Sequence, residues 1–228
     1  MNRSFVGVDF GRSQDYTAIA VLERAETTGE WDPGKYAWRK LVSLQLRYLK
    51  RVERGTPYPE VVRRVCRVTR SGELAGRCTL TADGTGVGRA VVDLLRNEGP
   101  GCPLYPVNIT GGLQETFDGE YHGVPKRDLI LGLQVLLQQG LLQIASGLEY
   151  AQELVKEMTA MQVKISLSGQ ELLGAWREGT HDDMVFAVAL AYWNAKKMYP
   201  KAPVGAAQWW TNSHEAEAAR VFKKVLKV

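Results

Sequence analysis

The order of the apolar segments constrains this chain most: three extended runs come first, and only then do strand-like and helix-like stretches alternate. Residues 4–10, Ser-Phe-Val-Gly-Val-Asp-Phe, and residues 17–22 read as two strands joined by the polar turn Gly11-Arg12-Ser13-Gln14-Asp15, which makes a hairpin. After the glycine-bounded turn at 29–34, residues 36–49 read as a third strand, with Leu44, Leu46 and Tyr48 on one side. Pro57 and Pro59 then open a helix running to about Thr69, with Val61, Val62, Val65 and Val68 on one face. Residues 78–82 form a short strand, 86–97 a helix and 104–107 another strand. Such an order predicts a partly parallel α/β sheet covered by helices on both faces.

The remaining chain is less regular. Residues 109–124 are rich in Gly, Thr, Glu and Asp and read as a 16-residue functional loop. Pro125 opens a helix, 141–144 is a short strand, 148–158 is amphipathic, and 161–167 reads as a last strand. His181-Asp182-Asp183 precedes a helix, 184–193, that is apolar on nearly every side and is expected to be buried. Residues 1–199 are therefore expected to form one domain. Residues 200–228, with Trp209-Trp210 and a basic amphipathic stretch from about Ser213, are expected to form a tail.

At 228 residues and 45% hydrophobic, the chain can build a sizeable core. No run approaches the roughly 18 uncharged apolar residues of a membrane span, and residues 1–8 contain no signal-peptide pattern, so a cytoplasmic location is expected. Cys66, Cys78 and Cys102 are odd in number and lack C-x-x-C spacing, which suggests neither a disulfide framework nor structural zinc. Charge is unevenly spread. Residues 35–70 hold eleven bases against Glu53 and Glu60, whereas 71–219 hold seventeen acids against eleven bases. A basic flank and an acidic middle suit a polyanion on one surface and a cation in another place.

Three acidic positions stand out. Asp9 lies in a short apolar strand, where a carboxylate is costly unless a cation meets it. Asp83 follows a strand and precedes the turn Gly84-Thr85-Gly86-Val87-Gly88, the edge of an α/β sheet where ligands bind. Asp182 and Asp183 stand at a helix start, a position that also suits a cap. Oxygen ligands without His or Cys clusters suit hard cations, so Mg²⁺ or Mn²⁺ is expected. Two such ions support in-line phosphodiester displacement, which defines a nuclease.

These segments, in their order, resemble the nuclease domain of tailed-phage terminase large subunits. The residues that carry the resemblance are 6–11 and 15–19, then 83–88 with 92–95, then 124–130, then His181-Asp182-Asp183 with Ala187 and Ala189. It covers roughly 4–197. The resemblance implies an RNase H-like fold with a central five-stranded mixed sheet, and endonuclease cleavage of concatemeric viral DNA during genome packaging. It implies Asp9, Asp83 and Asp183 as catalytic metal ligands, with Asp182 a second ligand or the cap, and two ions, Mg²⁺ or Mn²⁺. Double-stranded DNA would be the substrate, in the cytoplasm of the host cell. Small terminase, portal and an ATPase motor would be partners. This chain has no G-x-x-x-x-G-K-[ST], so the motor would be a separate or missing part.

Lys126, Arg127, Arg47 and Arg51 are candidate DNA contacts, and Asp15 and His181 candidate supports of the metal ligands. Other readings use the same residues. A Holliday-junction-resolvase-like nuclease shares the acidic site. An actin- or hexokinase-like ATP-binding protein would use 9–13 and 83–86 as phosphate turns, but needs a second half that 228 residues do not supply. A catalytically silent packaging or scaffold module would not need the carboxylates.

Overall fold

The structure, a computed structural model, describes residues 3–11, 15–145, 147–167 and 181–199, with side chains given except at 162–167. The expected tail at 200–228 lies outside the described residues.

Strands β1 (Arg3–Asp9), β2 (Thr17–Asp32) and β3 (Ala37–Val52) form the antiparallel opening, followed by α1 (Tyr58–Thr69), β4 (Cys78–Asp83), α2 (Gly88–Glu98) and β5 (Leu104–Thr110). Then come β6 (Thr116–Phe117), β7 (His122–Pro125), α3 (Lys126–Gln138), β8 (Leu142–Ile144), α4 (Ala151–Leu167) and α5 (Asp183–Met198). The strands make one mixed sheet in the order β6-β7-β5-β4-β1-β2-β3-β8, with β1, β4, β5 and β7 parallel.

The expected five strands are thus eight described ones. Polar composition over 109–124 hides two short strands, β7 and the edge strand β6, anchored by buried Tyr121 and Val124. The strand expected at 161–167 is instead the last part of α4. Val163 and Ile165 give that stretch a strand-like composition, but the helix begun at Ala151 continues through it. The β2/β3 hairpin is also longer than the hydrophobic pattern indicates. Beyond Arg24, where pairing with β1 ends, β2 and β3 continue as a two-stranded ribbon. Its residues are mostly exposed, so no apolar alternation marks it.

The period of two sorts β1 between two cores. Val6 and Val8 face α1 and α2, together with Ile19, Val21, Leu80, Val61, Val65, Val91 and Val92. Phe5 faces the other side, with Ala18, Leu22, Leu46 and the residues of α3, α4 and α5. Gly7 and Asp9 share the face of Phe5.

That face carries α5 directly against the sheet. A Cβ on Gly7 would lie 2.0 Å from the Ala187 carbonyl oxygen and 2.7 Å from the Ala191 nitrogen, so only glycine permits this approach. The small residues of α5 therefore answer the glycine of β1. Helix α5 is buried over most of its circumference, as its apolar sequence requires. Among the described residues, no helix is long and apolar enough to cross a membrane.

Candidate active site

Strand register brings the first two carboxylates side by side. In the parallel pair β1/β4, Val8 is level with Ala82, so Asp9 and Asp83 end adjacent strands at the same height. Both face α5: Asp83 follows Thr79 and Thr81 at the period of two, and Thr79 donates a hydrogen bond to Oδ1 of Asn194 on that helix. The Gly7–Ala187 contact then aligns the rest. Two residues along β1 from Gly7 to Asp9 advance about 6 Å, and four residues back along α5 from Ala187 to Asp183 advance about 6 Å. The helix start therefore arrives above Asp9.

The electrostatics follow from this crowding. Burial first, then the charges of Asp83, Asp182 and Asp183, hold the Asp9 carboxyl well above its usual range. Asp83 is within hydrogen-bonding reach of Asp9 and is also raised by burial, opposed by hydrogen bonds from Thr85. Thr85 donates to Asp83 Oδ1 through its backbone N–H at 2.8 Å and its hydroxyl at 2.6 Å. Asp182 is likewise raised by burial and by Asp183, while Lys126 opposes the shift. All four expected aspartates thus meet at one sheet edge.

Two cations hold part of this cluster. Arg51 Nε and Nη2 donate to Asp183 at 2.9 and 2.8 Å, and Nη2 also bonds Glu157. The register explains the reach, because Asp9 pairs with Ala18 and Ala18 with Arg51, which places all three in one row across the sheet. The small Ala18 leaves room between them. Burial, reinforced by the charge of Asp183, pushes Glu157 up to about 8 against the opposing pull of Arg51. Lys126, the first residue of α3, sits 3.7 Å from Asp182 Oδ2 with its ammonium over the Phe186 ring.

The other expected residues are placed as follows. Arg51 is not on the outer surface but turned into the site, its side chain 13% exposed. Arg47, the extra residue at the β2/β3 bulge, is exposed and donates to Glu23 at 2.7 Å. Arg127 is half-exposed beside Asp128. Asp15 is exposed, and its charge also raises Asp182. His181 Nε2 is 2.8 Å from Arg54 Nη2, and its ring packs edge-on against Tyr16. Asp182 occupies the cap position of α5 but makes no side-chain capping hydrogen bond; its backbone carbonyl accepts from Phe186 N–H.

Sequence reasoning missed Glu157, Tyr16 and Arg54. No local signal marks Glu157 on an amphipathic helix, and its partner Arg51 is 106 residues away.

The donor set, carboxylate oxygens alone, matches a hard divalent cation in its chemistry. Among the described residues, no three His, Cys, Asp or Glu side chains stand as a ready-made metal cage. Arg51 and Lys126 hold Asp183 and Asp182 in ion pairs, which leaves Asp9 and Asp83 as the adjacent oxygen pair.

A mixed sheet that opens with an antiparallel β1-β2-β3, is helix-covered on both faces and gathers carboxylates at the ends of its central strands is the arrangement of an RNase H-like domain. The terminase RNase H-like domain family matches residues 52–195, more than half of the chain, and the chain belongs to that family. It is 26% identical over 187 residues to the terminase large subunit of Thermus phage G20c and 25% identical to that of Thermus virus P23-45. In each case the match covers 82% of this chain and 30% of the relative, so the chain spans about a third of their length. Among solved structures it resembles the large terminase nuclease of thermophilic phage G20c with bound zinc, at TM-score 0.46 and 21% identity, covering 84% of this chain and 80% of that one. It also resembles the human cytomegalovirus terminase nuclease domain, at TM-score 0.48 and 13% identity, covering 87% and 85%.

Proposed function

We propose that this chain is a metal-dependent DNA endonuclease that hydrolyses phosphodiester bonds, of the kind that cuts concatemeric viral DNA during genome packaging. The observation that carries the reading is the convergence of Asp9, Asp83, Asp182 and Asp183 at one sheet edge, where burial raises Asp9, Asp83 and Asp182 and neighbouring carboxylates add to the shift at Asp9 and Asp182. A site that concentrates negative charge in this way is built for cations.

Mg²⁺ or Mn²⁺, two ions when the site is filled, would supply the charge that activates water and stabilises the leaving oxygen. Asp9 and Asp83 would hold them from the strand ends. The third ligand would come from Asp182 or Asp183. Asp182 is the more accessible, since Asp183 is held in a two-pronged pair with Arg51. Glu157 accepts from the same Arg51 nitrogen that binds Asp183, and so helps to fix the guanidinium that holds Asp183. Lys126 reduces the repulsion between the carboxylates before ions arrive, and it is placed to meet a backbone phosphate at the same edge. Arg127 and Arg47 would offer exposed positive charge along the duplex.

Double-stranded DNA would be the substrate, in the cytoplasm of a host cell. The ATPase motor would be contributed by another part of the protein or by a separate chain, and small terminase and portal would be assembly partners.

The test is conversion of supercoiled plasmid to nicked and linear forms in EDTA, Mg²⁺ and Mn²⁺. Metal-dependent cutting that disappears in Asp9→Asn and Asp83→Asn supports the reading. Cutting that survives in EDTA, or in both variants, contradicts it.

A further inference from the structure

Among the described residues, Arg54 near the acidic edge makes no ion pair. Arg54 lies just beyond the end of β3, and Tyr16 just before the start of β2. The pairing of Thr17 with Val52 brings their segments together. The Tyr16 ring carries two guanidinium groups, with the Arg51 carbon 4.7 Å and the Arg54 carbon 4.3 Å from its centroid. His181 closes the group: its ring meets Tyr16 edge-on at 5.0 Å, and its Nε2 accepts from Arg54 Nη2 at 2.8 Å.

The two arginines differ in what balances them. Arg51 is largely buried, and its charge is matched by Asp183 and Glu157. Arg54 is exposed, and among the described residues it makes no ion pair; its contacts are an aromatic face and an imidazole nitrogen. A guanidinium has five N–H donors in a planar fork that matches phosphate oxygens, and His181 uses one of them. Stacking on Tyr16 restricts the side chain before any ligand arrives, which lowers the entropy cost of binding. His181 immediately precedes Asp182 and Asp183, so the cation stands beside the carboxylates. Lys126 reaches the same helix start at Asp182.

We infer that Arg54, held by Tyr16 and His181, is a phosphate-binding residue at the rim of the carboxylate cluster, taking a backbone phosphodiester of the DNA. The inference rests on the nuclease reading and adds a named contact to it. Beside the carboxylate cluster it is Arg54, and not the buried Arg51, that turns its guanidinium outward.

The experiment measures binding of a fluorescein-labelled 20-base-pair duplex by anisotropy, with Ca²⁺ in place of Mg²⁺, across a salt series. The proteins compared are wild type, Arg54→Ala, Arg54→Gln, Tyr16→Phe, Tyr16→Leu and Arg77→Ala. Arg77 is an exposed arginine near the start of β4, at the opposite edge of the sheet, and controls for loss of charge alone. Both Arg54 variants are expected to bind about tenfold more weakly, with the slope of log affinity against log salt reduced by about one. Tyr16→Phe keeps the stacking face and is expected to bind like wild type, whereas Tyr16→Leu follows the Arg54 variants. Arg77→Ala is expected to keep the wild-type slope. Unchanged affinity and slope in both Arg54 variants, with wild type still cutting plasmid, overturn the inference and leave the nuclease reading intact. A wild type that neither binds nor cuts DNA in Mg²⁺ or Mn²⁺ overturns both.

Discussion

Asp9, Asp83, Asp182 and Glu157 each penalise the fold once ionised. All four have folded-state pKa values above their ordinary ones. Between the ordinary and the raised value the unfolded chain has released a proton that the folded chain retains, so rising pH favours unfolding. The metal-free protein is expected to melt at a lower temperature as pH rises from about 4. The Glu157 contribution runs on to about 8. Asp9→Asn removes one of these groups, so in EDTA at pH 8 it is expected to melt higher than wild type and to show a flatter pH profile. A lower melting temperature at every pH would count against the crowding. Arg51→Ala acts in the opposite direction: it strands Asp183 and Glu157 without their counter-charge and is expected to cost about 3–5 kcal/mol by denaturant titration. Asp9 and Asp83 were legible in the sequence because a carboxylate at the end of an apolar strand is locally anomalous. The role of Arg51 was not, because Asp183 lies 132 residues away and only the register across β1, β2 and β3 brings the two together.

Among the elements, the contact between β1 and α5 sets the geometry of the site. Gly7 is the point of closest approach, and any side chain there must push α5 away from the sheet. Gly7→Val is expected to cost at least about 3 kcal/mol, the upper end of overpacking penalties. In any fraction that folds, metal affinity should fall as well, because Asp182 and Asp183 ride on the displaced helix. Wild-type stability in this variant would show that the approach is not as close as described. The central elements were readable from periodicity: β1, α1, β4, α2, α3 and α5 all bury an apolar face or run. The elements that escaped are those whose pairing is not driven by burial. Strand β6 is exposed at both of its residues, and the outer ribbon of β2 and β3 is held by backbone hydrogen bonds and cross-strand contacts such as Trp31 against Trp38.

For the whole molecule, the eight-stranded sheet is a platform with one chemically distinct edge. The ends of β1 and β4, the starts of α3 and α5 and the end of β3 supply its four aspartates, Lys126 and Arg51. The chain spans about a third of the length of the terminase large subunits it resembles. The claim that belongs to this domain is that its carboxylate edge binds divalent cations. Calorimetric titration of Mn²⁺ into the metal-free wild type, Asp9→Asn and Asp83→Asn tests it most directly, without DNA and without turnover. Saturable binding of up to two ions in the wild type, lost or weakened at least about tenfold in both variants, is the predicted result. Wild-type binding in Asp9→Asn and Asp83→Asn, or no binding to the wild type at millimolar Mn²⁺, would contradict the account.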